Sequence, residues 1–239
     1  RRAAMELESN TILNLGVGIP ANVGSVVVEE DAKELVTFTT EAGTIGGIPA
    51  GGGDFGHAYN PQALIDHHAQ FDFYDGGGID LSVLGLAQTD EFGNINVSKF
   101  GTRVNGCGGF INISQSAKKL IFAGTFTAGG LKLKVEDGKL IIENEGKHKK
   151  FIKNVQQITF SGKYASSVDQ YVLYVTERAV FKLIDGKMTL IEIAPGVDLE
   201  KDILAQMDFV PAISEDLKVM DAGIFSENWG QLKSILENK

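Results

Sequence analysis

The sequence predicts an α/β fold: an open sheet with helices, and a β-richer C-terminal part. Three observations carry this. Short runs rich in Val, Ile, Leu and Phe recur along the chain and stop at glycine turns. In the first half these runs are interspersed with stretches of helical spacing, the pattern of an α/β architecture. In the second half strand-like runs follow one another through turns such as Glu136-Asp137-Gly138 and Asp185-Gly186.

Taken in order, residues 1–8 read as the body of a helix already under way, with no initiator Met and no signal-peptide core, so a fragment or processed subunit is expected. Thr11-Ile12-Leu13-Asn14-Leu15 is a strand stopped by Gly16-Val17-Gly18-Ile19-Pro20. Pro20 suits the first turn of a helix, and Val23, Val26 and Val27 supply its apolar face. The β-branched and aromatic run 35–41 is the next strand and ends on the carboxylate Glu41. Residues 42–56, mostly Gly, Ala, Ile and Pro, predict a long glycine-rich loop with neither stable helix nor regular strand. A short helix is expected over 61–69, a break at Gly76-Gly77-Gly78, a strand over 79–86, and a turn at Asp90-Glu91-Phe92-Gly93-Asn94. Asn105-Gly106-Cys107-Gly108-Gly109 is a second glycine turn, leading into Phe110. Strand-like runs follow at 119–126, 140–142, 157–160, 173–175, 179–183 and 188–193. Asp198 then caps a helix carrying Glu200 in its first turn and Leu199, Ile203, Leu204 and Met207 at apolar positions. With no linker-like stretch and no repeat, one compact unit is expected.

Composition narrows the function classes. The 22 Lys and Arg against 31 Asp and Glu leave a net charge of −9, unfavourable for reading a phosphate backbone, so no nucleic-acid partner is expected. One cysteine allows neither an intramolecular disulfide nor a multi-cysteine zinc site. No apolar run nears the ~20 residues of a membrane-spanning helix, so no membrane partner and a cytoplasmic setting are expected. Many of the 29 glycines cluster among Val, Ile and Phe between Gly16 and Gly109, which places them in a folded site rather than a linker.

Gly16-Val17-Gly18-Ile19-Pro20-Ala21 fits the Gly-x-Gly-x-x-Ala form of a dinucleotide turn, with Glu41 where a ribose-binding acid would sit. The glycine–proline run after Glu41 cannot supply the helix that a dinucleotide unit requires there. Backbone N–H groups at such a turn still favour an anion or oxyanion. Glu41 itself has two readings: a carboxylate that accepts loop N–H bonds and organises the glycine turn, or a nucleophile or base in a cleft made of backbone. Cys107 has no His or Asp in a recognised relation to it and reads as a small buried hydrophobe. His57, His67, His68 and His148 lack metal-ligand spacing, so no metal is expected. Lys147-His148-Lys149-Lys150 with Lys153 reads as a solvated face, although a ligand with several phosphates would want such cations.

Several segments together resemble the class I coenzyme A transferases, specifically the C-terminal, β-type half of the fused bacterial short-chain acyl enzymes. They are Gly16 to Pro20, Thr40-Glu41-Ala42-Gly43-Thr44-Ile45-Gly46-Gly47, Gln70-Phe71-Asp72-Phe73-Tyr74-Asp75-Gly76-Gly77-Gly78, Asp90 to Val97, Gly106-Cys107-Gly108-Gly109-Phe110 and Ile191 to Asp198. The resemblance implies that Glu41, in the Glu-x-Gly-x-x-Gly motif, is the covalent nucleophile. It also implies that Gly16, Val17, Gly18, Ile19, Pro20, Gly108 and Gly109 lie at the CoA-binding and oxyanion-stabilising region. Further implications are CoA as a substrate with no tightly bound cofactor, an acyl-CoA and a short-chain carboxylic acid as reactants, an upstream α-type half as partner, and a homo-oligomer. The chemical alternative within the same family is an acyl-CoA hydrolase. An alternative of another class is a non-catalytic nucleotide- or sugar-phosphate-binding α/β module.

Overall fold

Thr11–Leu15 is apolar except at Thr11 and Asn14, and its last three residues are buried, as a central strand requires. The computed structural model, which describes residues 1–239, pairs it in parallel with Val36–Thr39 on one side and Leu81–Gly85 on the other, and Lys119–Ala123 pairs in parallel with Leu81–Gly85. Parallel neighbours need a crossover. The first is the helix Asn22–Glu29, which buries Val23, Gly24 and Val27 after a 3₁₀ turn with Pro20 in its first positions. Beyond Val36–Thr39 the chain turns back on itself, and Thr44–Ile45 and Ala63–Leu64 add short antiparallel strands.

These elements belong to one of two compact units, made of residues 1–85, 108–123 and 230–239. The last segment is held by a carboxylate: Glu30, 8% exposed, accepts the N–H groups of Gly230 at 2.9 Å and Leu232 at 3.0 Å, where the helix Leu232–Glu237 begins.

The second unit comprises residues 86–107 and 124–229. In it Tyr171–Val175, Ala179–Ile184 and Lys187–Ile193 form an antiparallel meander, and Ala212–Val219 adds in parallel to the third. Lys132–Glu136 and Lys139–Asn144 make a separate hairpin. Asp137 with Gly138, and Asp185 with Gly186, all take positive φ, the backbone a two-residue hairpin turn demands. The core stacks Phe126 on Phe151, with Phe181 against both.

Arg178 is fully buried beside that cluster, its guanidinium 5.0 Å from the centroid of Phe126. It donates to Glu177 at 2.7 Å, to both Glu145 oxygens at 2.6 and 3.2 Å, and to the Asp202 carbonyl at 3.1 Å. Burial alone would lower its pKa, but the bonds and charges of Glu145 and Glu177 outweigh this and raise it. Removing one member of a buried pair strands the other, at about 3–5 kcal/mol. Because Glu145 is more than a quarter exposed, Arg178→Met is expected to cost about 3 kcal/mol, read as a lowered urea midpoint. An unchanged midpoint would show that the hub contributes nothing net.

The α/β expectation and its β-richer later part hold, while several local readings change. The expected single compact unit is two, because the chain passes between them at 85/86, 107/108, 123/124 and 229/230, with no linker composition at any crossing. The expected opening helix is a 3₁₀ turn, Ala4–Glu6. The 42–56 loop contains Thr44–Ile45, Ile48–Pro49 and the 3₁₀ turn Gly52–Asp54, since antiparallel partners supply the pairing its composition does not. The helix expected over 61–69 lies at His67–Phe73, because Ala63–Leu64 is taken up as a strand. Residues 157–160 make only an isolated bridge from Phe160 to Ile95. Asp198 does cap, accepting the Lys201 N–H, but the helix is a π turn, Leu199–Ile203, followed by a 3₁₀ turn. The helices Phe110–Ser116 and Gly162–Ser167 and the strand Ala212–Val219 carried no clear periodicity. No helix is long and apolar enough to cross a membrane.

Candidate active site

Parallel pairing of Asn14 with Thr39 sends Gly16 and Glu41 out of the sheet at the same edge, the carboxyl ends of the strands where open α/β sheets hold ligands. Strand Val36–Thr39 stops two residues short of Glu41. Gly43 N–H bonds to the Thr40 carbonyl and Thr40 N–H to the Thr44 carbonyl, each at 3.0 Å, so Glu41 sits in a tight turn. Gly43 has φ +111°, and a Cβ there would strike the Ile65 carbonyl, so only glycine fits.

The turn is organised by threonines rather than by Glu41. Thr40 Oγ1 lies 2.7 Å from Thr44 Oγ1 and donates to the Gly56 carbonyl at 3.0 Å. No hydrogen bond or ion pair engages the Glu41 carboxylate, which is half-buried. Of the two readings of Glu41, the loop-organising one therefore has no bond to support it.

What meets Glu41 is the second glycine turn. A Cβ built on Gly109 would stand against Glu41 Oε2 and 2.5 Å from Phe71 Cζ, so backbone, carboxylate and aromatic ring converge at one point. Gly109 precedes the helix Phe110–Ser116, whose first-turn N–H groups have no intrahelical acceptor. Gly108 has φ +52° with open space around its Cβ direction, so it shapes the backbone without filling the site.

Gly16 packs against Leu84, its Cβ direction 3.2 Å from Leu84 Cδ2, and donates its N–H to the Val83 carbonyl at 2.8 Å. Gly18 takes φ +82°, Val17 and Ile19 are exposed, and Pro20 is buried at the head of the 3₁₀ turn. No hydrogen bond joins this segment to Glu41.

Sequence reasoning missed a buried polar chain running under the same strands. Asn14 Nδ2 donates to the Tyr74 hydroxyl at 3.2 Å, Tyr74 to Thr39 Oγ1 at 2.8 Å, and Thr39 to the Leu13 carbonyl at 2.8 Å. Burial raises the Tyr74 pKa, the Thr39 and Asn14 bonds hold it back, and the Glu41 charge raises it further, so the phenol stays protonated. The available signal was Asn14, a polar residue inside an otherwise apolar strand.

Cys107 is a free, half-buried thiol. No group of three His, Cys, Asp or Glu side chains is placed to hold a metal ion. Of the basic run, Lys147, His148 and Lys149 are exposed as expected, but Lys150 is buried and bonds the Thr125 carbonyl at 2.7 Å. Burial pushes its pKa down to about 8 against the pull of Glu177. These four line a cavity of about 690 Å³ in the second unit, with Phe100 and Gln156.

No family model matches the chain. It is 61% identical over 241 residues to a caffeate CoA-transferase of Acetobacterium woodii, covering 99% of this chain and 46% of the relative. It thus spans about half the length of that relative. Among solved structures, the acyl-CoA transferase YdiF of Escherichia coli O157:H7, a thioester complex with CoA, superposes with TM-score 0.91 at 48% identity, over 96% of this chain and 44% of that one. The beta subunit of an acetate CoA-transferase from Escherichia coli K12 is 33% identical, with 83% of this chain and 85% of the subunit aligned. Likeness to a separate beta subunit across most of its length, on a sheet whose carboxyl edge brings Glu41 to Gly109, means that the chain belongs to the class I coenzyme A transferase family, as its β-type half.

Proposed function

We propose that the protein transfers coenzyme A between a short-chain acyl-CoA and a carboxylic acid, in a ping-pong reaction through a glutamyl-CoA thioester on Glu41. The carrying observation is the Glu41 carboxylate, without a bonding partner and set against the backbone of Gly109 and the edge of Phe71. Glu41 attacks the thioester carbonyl, the C–S bond breaks, and an acyl-glutamyl anhydride and CoA thiolate result. The thiolate attacks the glutamyl carbonyl of the anhydride, forming the glutamyl-CoA thioester and releasing the first carboxylate. A second carboxylate reverses both steps. Carboxylate suits this role because anhydride and thioester lie near the substrates in energy, so neither is a trap. Backbone N–H groups at Gly108 and Gly109 meet the tetrahedral oxyanion, and each such donor is typically worth ~3–4 kcal/mol. The Gly16–Pro20 turn contributes to the CoA-binding edge. CoA is a substrate here, with no tightly bound cofactor.

The two reactants are held between this β-type half and an α-type half, in a cytoplasmic homo-oligomer. Relatives described as separate beta subunits support that pairing. Without the second wall, water reaches Glu41 and hydrolyses the anhydride before thiolate returns.

Two measurements test this. Incubating active enzyme with acyl-CoA should give a CoA-sized mass increase on Glu41, and borohydride should reduce that residue to an alcohol. Adduct on Cys107, or none in an active preparation, would refute the mechanism. Residues 1–239 alone should show at most weak hydrolysis of acetyl-CoA, with transfer to a short carboxylic acid appearing once the α-type half is added. Full transfer by the isolated chain would refute the two-half pocket.

A further inference from the structure

One buried polar side chain near this site is used by no step above. Gln70 lies on the helix His67–Phe73 with 0% exposure, and neither its Oε1 nor its Nε2 has a hydrogen-bond partner. Its polar neighbours are satisfied by contrast: Asn14, Thr39 and Tyr74 bond one another, and Ser82 donates to the Asn14 carbonyl at 3.1 Å.

Gln70 lies on the helix whose Phe71 stands beside Glu41. The next residue, Phe71, supplies the ring that meets Gly109 beside the carboxylate, and its centroid lies 5.7 Å from that of Tyr74. One helical turn on, the Tyr74 hydroxyl is close enough to feel both the Gln70 amide, which would steady its phenolate, and the Glu41 charge, which opposes it. That hydroxyl donates its hydrogen to Thr39 and accepts from Asn14, so one lone pair is unused. By strict hydrogen-bond geometry the Gln70 amide makes no bond to it, although it lies near enough to favour the phenolate.

A fully buried amide with neither end bonded destabilises the fold, and an apolar side chain of similar size would remove that cost. Groups that stability alone does not favour are characteristic of sites where it is traded for activity. We propose that Gln70 is a positioning residue for the reaction at Glu41, its Nε2 donating to the unused lone pair of the Tyr74 hydroxyl in the substrate complex. The bond fixes Tyr74, and through it Thr39 at the base of the Glu41 turn, while the same helix turn holds Phe71 against Gly109. This rests on the reading of Glu41 as nucleophile.

The test is Gln70→Met and Gln70→Leu in the active enzyme, reading melting temperature, kcat, KM for acyl-CoA and the rate of CoA-adduct formation on Glu41. Removing an unsatisfied amide should raise the melting temperature by about 2–4 °C. Losing a group that orients the reacting residue should slow kcat and adduct formation about 10- to 100-fold, with KM unchanged within about threefold. Higher melting temperature with unchanged kcat would make the amide a mere packing defect and overturn the proposal. Joint loss of stability and kcat would also overturn it, by showing a structural group. Absence of any adduct in the unmodified enzyme would sink the nucleophile reading itself. Adduct forming at the unmodified rate in both variants would remove only Gln70.

Discussion

Glu41→Ala is expected to lower CoA transfer by about four orders of magnitude or more, the scale on which a covalent enzyme loses rate with its nucleophile. The fold should not notice. The carboxylate has no hydrogen bond or ion pair to lose, and the turn that carries it is closed by Thr40, Gly43 and Thr44. A melting temperature within about 2 °C of the unmodified enzyme is therefore expected alongside the lost activity. Glu41→Gln, which keeps the shape and removes the charge, should be equally inactive and should give no CoA adduct. Residual transfer at the per cent level would remove Glu41 from the covalent role. Unfolding of Glu41→Ala would restore the structural reading.

Gly109→Val should have the next largest effect, cutting turnover by about 100- to 1,000-fold, the loss expected when a reacting group is misplaced by an ångström and an oxyanion donor is turned away. The cause is steric. Gly109 has φ −79°, which any residue adopts, but a side chain there must displace both Glu41 Oε2 and the Phe71 ring. Gly108 is the contrast: φ +52° makes alanine cost about 1 kcal/mol in backbone strain, while its side chain meets open space. Gly108→Ala should thus lose stability and keep far more of the rate than Gly109→Val. Measured together, the two separate strain from obstruction. Near-normal turnover in folded Gly109→Val would place the oxyanion donors elsewhere.

Much of the chain was legible because the signal is local. Strand Thr11–Leu15 shows itself by an apolar run ending in glycine, the hairpin turns by Asp-Gly pairs that accept positive φ, and the Asp198 cap by an oxygen within reach of the N–H three residues on. Glu41 was singled out in the same way, by a carboxylate between a strand and glycines. The resemblance to a family added the expectation that Gly109 belongs with it.

Only tertiary structure decided what stands beside each of these residues. Glycine permits a close approach without naming the group that approaches, and packing across 68 positions is what brings Glu41 to Gly109. The basic run gave no hint that Lys150 turns inward while its neighbours stay in water, since burial depends on the Thr125 carbonyl and its surroundings rather than on residue type. Nor could any composition show the two units, whose boundaries are crossed four times by a chain without linkers. Gln70 reads as an ordinary helix residue, and its unsatisfied burial exists only once Tyr74, Asn14 and Thr39 have bonded one another and left it out. Local sequence sets backbone conformation and the apolar face of each element, whereas the site arises from which faces meet, a property of the packed chain.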